Sequence, residues 1–237
     1  MREYFTVERG LFPFEMFSVS HFMVVVLLVA CSLLLFFYRF KIRHTKTSSF
    51  IKYSLVFLLV VSEVSFQLWY VVHGHWTIRN NLPLQLCSIS MYLATFMLFT
   101  KNKTVTEITF FFGIGGAVQA MVTPELFYGF PHFRFFHFFI AHIAIILACL
   151  HMVWIHQFRP TYKSVLKAML ALNLIAVFVF IINKLLDTNY MFLAQKPRNP
   201  TIIDVLGPYP WYILSLEVIA FVLFNLIYFI FRAKKKE

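Results

Sequence analysis

The sequence predicts an all-α, polytopic membrane protein of about seven transmembrane helices. Three observations carry that expectation. Of the 237 residues, 60% are hydrophobic and 13% charged, whereas soluble domains carry roughly 45–50% apolar and about 25% charged residues. The apolar residues fall into runs that each approach the roughly 20 positions a helix needs to cross the hydrocarbon core. The basic residues gather mostly in alternate connections, the pattern that membrane insertion imposes. Seven glycines, nine prolines and three cysteines are far from what collagen-like, low-complexity or disulfide-framework chains require. Residues 1–237 are therefore expected to form one integral membrane domain, with any site inside the bundle or on its loops.

The predicted spans follow in order, each bounded by proline, charge or turn residues. The first covers about 18–40; Met1 to Phe17 carries Glu3, Glu8 and Glu15 and no basic region, so no cleavable signal is read there. The second, about 53–73, is separated from it by Arg39, Lys41, Arg43, Lys46 and Lys52. The third, about 83–100, opens at Pro83, a residue suited to a first helical turn. The fourth, about 108–122, contains Gly113, Gly116 and Ala117, small residues that let backbones approach closely. The fifth, about 133–156, is rich in histidine, the sixth covers about 165–183, and the seventh, about 210–231, follows Pro210. The connection of about 184–209 holds Asp187, Asn189, Tyr190, Asp204 and Pro208 among apolar stretches. Because loops beyond about 12–15 residues are usually functional or disordered, it is read as a packed outer cap.

The formal charge of +11 would by itself suggest nucleic acid, but its distribution argues otherwise. With seven spans, 14 of the 21 basic residues fall on one side, including Arg159, Lys163, Lys167, Arg232 and Lys234 to Lys236. The other seven are Arg2, Arg9, Arg79, Arg134, Lys184, Lys196 and Arg198. The positive-inside rule then places the N-terminus outside and the basic C-terminal tail in the cytoplasm of a plasma-membrane protein, its cations facing anionic headgroups. No nucleic-acid partner is expected.

Ionisable groups inside spans are costly and default to the bundle interior, so they mark candidate chemistry. Glu63 lies mid-span, with Gln67 and Tyr70 on the same helical face. It reads either as a structural hydrogen-bonding acid or as an ion ligand, proton carrier or histidine-orienting carboxylate. His132, His137, His142, His151 and His156 are spaced five or nine apart, which steps them around the helix and argues against shared chelation. His132 and His156 read as interfacial and His151 as a satisfied core group; His73 and His75 have no fixed geometry. No metal site or cofactor is expected. Cys87 and Cys149 fall at opposite depths, which argues against a disulfide. Cys87 alone reads as buried filler, but with a histidine in reach it is the minimal constellation for a thioester. At 1.5 Å per residue Cys87 and His137 lie roughly 7 Å deep and His142 about 15 Å, so depth favours His137 as the base. Gln119 reads as structural or as an oxyanion donor.

The stretches Leu82-Pro83-Leu84-Gln85-Leu86-Cys87, Gly113 to Ala120 with Thr123-Pro124, and Gly129-Phe130-Pro131-His132-Phe133-Arg134 with Ala141-His142 resemble the YwaF-like bacterial integral membrane proteins. So do Thr188 to Leu193 and Asp204 to Tyr212. That family is similar to the transmembrane protein 164 family, regarded as cysteine-dependent acyltransferases acting on phospholipids. The resemblance implies that Cys87 accepts the acyl chain and that His142 is its base, with His137 kept as a secondary candidate. Glu63 is then an orienting carboxylate and Gln119 an oxyanion donor, with His137, Gln67, Asn189, Tyr190, Asp204 and Trp211 as substrate-binding residues. The expected partners are membrane phospholipids or lysolipids, and the oligomeric state is left open. The alternative is a non-enzymatic transporter or a small-molecule or lipid-binding protein using the same polar groups, which would tolerate Cys87→Ser and depend on Glu63.

Overall fold

Among the described residues seven apolar helices, six of them long, account for the seven apolar runs. The computed structural model describes residues 2–197 and 202–232; Arg198 and Lys234 to Lys236, counted above among the topology charges, lie outside the described residues. The helices are α1 (Val19–Phe37), α2 (Lys46–Val72), α3 (Leu86–Thr100), α4 (Lys103–Val122), α5 (Phe133–Trp154), α6 (Tyr162–Leu186) and α7 (Trp211–Phe231). Among the described residues six are long and apolar enough to cross a membrane, α3 being apolar but shorter. Its 15 residues cover about 22 Å, less than a hydrocarbon core of roughly 30 Å.

Helix ends depart from the apolar runs where hydrogen bonding continues into polar sequence. α2 begins at Lys46 instead of 53 because no Gly or Pro interrupts its backbone ladder through Lys52. α4 starts at Lys103, where the Asn102 side chain accepts from the Val105 N–H at 3.2 Å. α6 starts at Tyr162 behind a capping box between Thr161 and Ser164. The first run breaks after Phe37 into a separate turn, Arg39–Arg43. Pro83 lies outside α3: Leu82 and Gln85 are both extended, and the helix begins only at Leu86.

α4 and α5 form the centre of the bundle. α5 packs on α1, α2, α3 and α4, and α4 also meets α6 and α7. Phe110, Phe111 and Phe112 of α4 and Ala141, Ala144, Ile145, Ala148 and Cys149 of α5 are all buried. The small residues of α5 recur at three- and four-residue spacing and so line one side of the helix. Against that side a Cβ at Gly113 would stand 2.6 Å from Cys149 Sγ, whereas one at Gly115 would stand 3.3 Å from Leu223 and Phe224 of α7. The close approach is thus made by Gly113 and Gly115, while Gly116 would meet only Leu86 at 3.6 Å. α1 and α7 turn Val, Leu and Phe outward along most of their length. At the other end, buried Glu107 accepts from Ser164 Oγ at 3.0 Å and pairs with Lys167 Nζ at 2.5 Å, clamping α4 to α6.

The N-terminal segment folds across one end of the bundle, here the N-terminal face. Trp69 Nε1 donates to Phe5 O at 2.7 Å and Tyr128 Oη to Val7 O at 2.9 Å. Gly129 N donates to Phe12 O at 2.6 Å, and a Cβ at Gly129 would stand 2.5 Å from Pro13 O. His132, the N-cap of α5, is buried beneath the N-terminal segment. Its Nδ1 accepts from the Arg134 N–H and caps α5, while Nε2 lies 2.9 Å from Thr6 O. Burial holds its pKa below the ordinary imidazole value, as this neutral donor-and-acceptor role requires.

Candidate active site

α3 begins late because the chain before it is held inward. Tyr190, buried in the cap, accepts from the Leu82 N–H at 2.9 Å and donates from its hydroxyl to Ile78 O at 2.6 Å. Gln85 Oε1 accepts from the Met191 N–H at 3.0 Å. The cap turn is itself fixed by Asn183, whose Oδ1 accepts from the Tyr190 N–H at 2.8 Å and whose Nδ2 donates to Tyr190 O at 2.9 Å. Cys87 is consequently the second residue of α3. It sits among first-turn N–H groups that have no intrahelical acceptor and at the end of the helix dipole that favours anions.

The Cys87 thiol meets His142. Nε2 of the imidazole is 3.1 Å from Cys87 Sγ, and Nδ1 is 2.6 Å from Phe138 O, one turn back on α5. A carbonyl only accepts, so Nδ1 carries the ring proton and the lone pair of Nε2 faces the thiol. His142 is buried and its ring packs on Phe138 with centroids 4.2 Å apart. His142 lies nine residues past the start of α5, about 14 Å along the axis. Cys87 is therefore deeper than residue counting gives, because the 82–85 segment carries the chain inward before α3 begins.

His137 is engaged elsewhere. Its Nε2 donates to Ser62 O at 2.9 Å and its Nδ1 faces Arg134 Nη1 at 2.6 Å, so neither nitrogen is left for Cys87 and the depth-based preference is overturned. Glu63 does not orient His142 either. Its Oε1 accepts from Gln67 Nε2 at 2.9 Å and from Tyr92 Oη at 3.2 Å, while both ring nitrogens of His142 already have partners. Gln67 donates further to Asn81 O at 3.1 Å and accepts from Trp76 at 2.8 Å, pinning α2 to the segment ahead of α3. Gln119 is exposed on the last turn of α4, away from the interior position an oxyanion donor needs.

A cavity of about 560 Å³ opens on the N-terminal face under the cap, lined by Asn189 and Tyr190 and by Gln85, two residues from Cys87. Its wall also includes Arg9, Arg79, Lys196 and Glu125, and burial pushes the Glu125 carboxyl up to about 7. Of the other residues expected to bind substrate, His137 and Gln67 are not in this wall. Trp211 is 65% exposed and faces outward, because the residue that α7 turns inward is Tyr212, whose hydroxyl donates to Phe192 O. Asp204 is exposed, and its backbone carbonyl accepts from Lys196 Nζ at 3.1 Å.

Arg134, a topology charge and part of the Gly129 to Arg134 motif in the sequence, folds inward over Phe66, its guanidinium carbon 4.3 Å from the ring centroid. Its place as the second residue of α5, beside Phe133 and Phe135, was the available signal. Among the described residues no three His, Cys, Asp or Glu side chains are placed to share a metal ion.

The model of the TMEM164 family matches residues 16–228. The chain belongs to the TMEM164 family. The matched region runs from just before α1 into α7, so Cys87 and His142 both lie within the TMEM164 portion, in agreement with the resemblance read from the motifs. No curated protein and no solved structure matches the chain.

Proposed function

We propose that this TMEM164-family protein transfers acyl chains between membrane lipids through a thioester on Cys87, with His142 as general base. The observation that carries the reading is the 3.1 Å approach of Cys87 Sγ to His142 Nε2 with Nδ1 held by Phe138 O. In this reading Nε2 takes the thiol proton and the thiolate attacks the ester carbonyl carbon of a phospholipid. The C–S bond forms, the ester C–O bond breaks, and the departing lysolipid oxygen takes the proton from the imidazolium. An acceptor hydroxyl, or water, then gives its proton to Nε2 and attacks the thioester; the C–S bond breaks and the thiolate recovers the proton. In this reading the first-turn N–H groups of Leu86, Cys87 and Ser88, and not Gln119, receive the developing oxyanion. A lipid reaches such a site sideways between helices. The same reading includes a plasma-membrane location, with the N-terminal face outside.

A binding or transport role is the second reading, favoured by the polar cavity under the cap. Intact mass spectrometry of the detergent-purified chain after incubation with mixed phospholipids separates the two. Acyl transfer requires an acyl-sized, hydroxylamine-sensitive adduct on the wild type that is absent from Cys87→Ser. It also requires adduct formation to slow about 10²–10⁴-fold in His142→Ala, the usual worth of a positioned base. No adduct, together with an unchanged cellular lipid profile in Cys87→Ser, overturns the thioester.

A further inference from the structure

The cavity under the cap carries chemistry that the Cys87–His142 pair does not use. Three cations line it from three separate segments: Arg9 from the N-terminal strap, Arg79 from the α2–α3 connection and Lys196 from the cap. Among the described residues the one carboxylate in the same wall is Glu125, and none of the three cations is held in a buried ion pair. Arg9 lies over the Phe127 ring at 3.8 Å, Lys196 donates to the neutral backbone oxygen of Asp204, and Arg79 stands 4.0 Å from Asp187 with both side chains well exposed, a pairing of little worth. Cations gathered from distant parts of the chain at one concave site, outnumbering the carboxylates near them among the described residues, leave charge to be satisfied by a ligand.

Size and place define that ligand. About 560 Å³ falls within the roughly 300–1,000 Å³ typical of small-molecule sites and is far too small for a macromolecule. Tyrosines 70, 128 and 190 share the wall, the residue type enriched where membrane meets water. Gln85 also lines it and is two residues from Cys87, at most about 7 Å along the chain. In a glycerophospholipid the ester carbonyl is likewise only a few bonds from the phosphate.

We propose that this cavity is the subsite for the phosphate-bearing head of a glycerophospholipid, with Arg9, Arg79 and Lys196 as its anion ligands. The proposal rests on the acyl-transfer reading for its orientation, since it sets the ester of the bound lipid toward Cys87. The shared chemistry is a phosphate oxyanion, whose source is either a lipid head or free phosphate.

The test is equilibrium binding to the full-length chain in detergent by native mass spectrometry, with dioleoylphosphatidylglycerol, dioleoylglycerol or inorganic phosphate as probe. The expected result is retention of the phospholipid and not of the headless diacylglycerol. Binding should weaken by about tenfold or more in Arg9→Gln/Arg79→Gln/Lys196→Gln, as expected for lost charge-assisted contacts. The charge-retaining Arg9→Lys/Arg79→Lys/Lys196→Arg variant, which guards against a folding artefact, recovers most of that loss. Equal phospholipid affinity in wild type and the glutamine variant overturns the proposal. So does a glutamine variant that loses inorganic phosphate while keeping the lipid, which makes the cavity a free-anion site. Acyl-adduct formation is followed in the same samples. Cation-dependent lipid binding without any adduct leaves the head subsite standing and removes acyl transfer; a normal adduct with cation-independent binding does the reverse.

Discussion

At the scale of single residues, protonation is set by neighbours that leave little choice. Phe138 O fixes the tautomer of His142 and thereby directs a lone pair at Cys87, a role that a carboxylate fills in many cysteine and serine enzymes. Glu125 is the informative titrating group outside the spans. Burial raises its carboxyl from 4.5 to about 7, so between those values the folded chain holds a proton that the unfolded chain has released. Stability contributed here is therefore greatest at low pH and is lost as pH rises toward 7. Arg9, Arg79, Lys196, His75 and tyrosines 70, 128 and 190 share its cavity and are common to wild type and variant, so the comparison isolates Glu125. The Tm of Glu125→Gln should gain on that of the wild type as pH rises from about 5 to about 8; parallel Tm curves would exclude the buried acid. Of the site itself, the chemistry of Cys87 and the candidacy of His142 were legible in sequence, but the choice between His142 and His137 required the resemblance. Residue counting assumes helices that begin at one level, and the inward 82–85 segment breaks that assumption. Glu63 misled for a local reason: Phe138 O and Cys87 Sγ already take both ring nitrogens of His142, while Gln67, one turn on, and Tyr92 engage Glu63 Oε1.

At the scale of elements, the α4–α5 contact shows how little room the centre of the bundle leaves. A methyl group at Gly113 would meet Cys149 Sγ at 2.6 Å and Ile145 Cγ2 at 3.0 Å, both in a helix already buried on nearly every side. Gly113→Ala is therefore expected to destabilise by about 1–3 kcal/mol, the usual cost of overpacking, read as a lower Tm in detergent. Adding Cys149→Ala removes the nearer clash and should recover part of the loss; an unchanged Tm in the single variant would show that α4 and α5 are looser than this contact requires. The seven helices were legible because lipid-facing and core positions are both apolar, giving long uninterrupted runs. Their polar ends were not, since Lys46 to Lys52 and Lys103 continue helices without any hydropathic signature. The Glu107–Lys167 clamp also escaped notice, because a pair separated by 60 positions has no local pattern to betray it.

At the scale of the whole molecule, the two faces differ in kind. The face opposite the cap carries Arg39, Lys41, Arg43, Lys101, Lys103, Arg159 and Arg232 at helix ends and short connections, the placement that the positive-inside rule expects of a cytoplasmic side. The N-terminal face spends its cations differently, with Arg9, Arg79 and Lys196 turned to a cavity and Arg134 folded over an aromatic ring. Of these four, Arg134 folds into the bundle over Phe66, whereas Arg9 and Arg79 stay exposed at the cavity rim and Lys196 is half-buried. The positive-inside rule predicts an orientation with the cap and cavity outside. With Cys31→Ala, Cys87→Ser and Cys149→Ala in place, a membrane-impermeant maleimide should label Glu8→Cys in intact cells and Thr104→Cys only after permeabilisation, both positions being exposed. The reverse pattern would overturn the orientation and would open the Cys87 site toward the cytoplasmic leaflet. The lipid supply would then change while the chemistry of the Cys87–His142 pair did not.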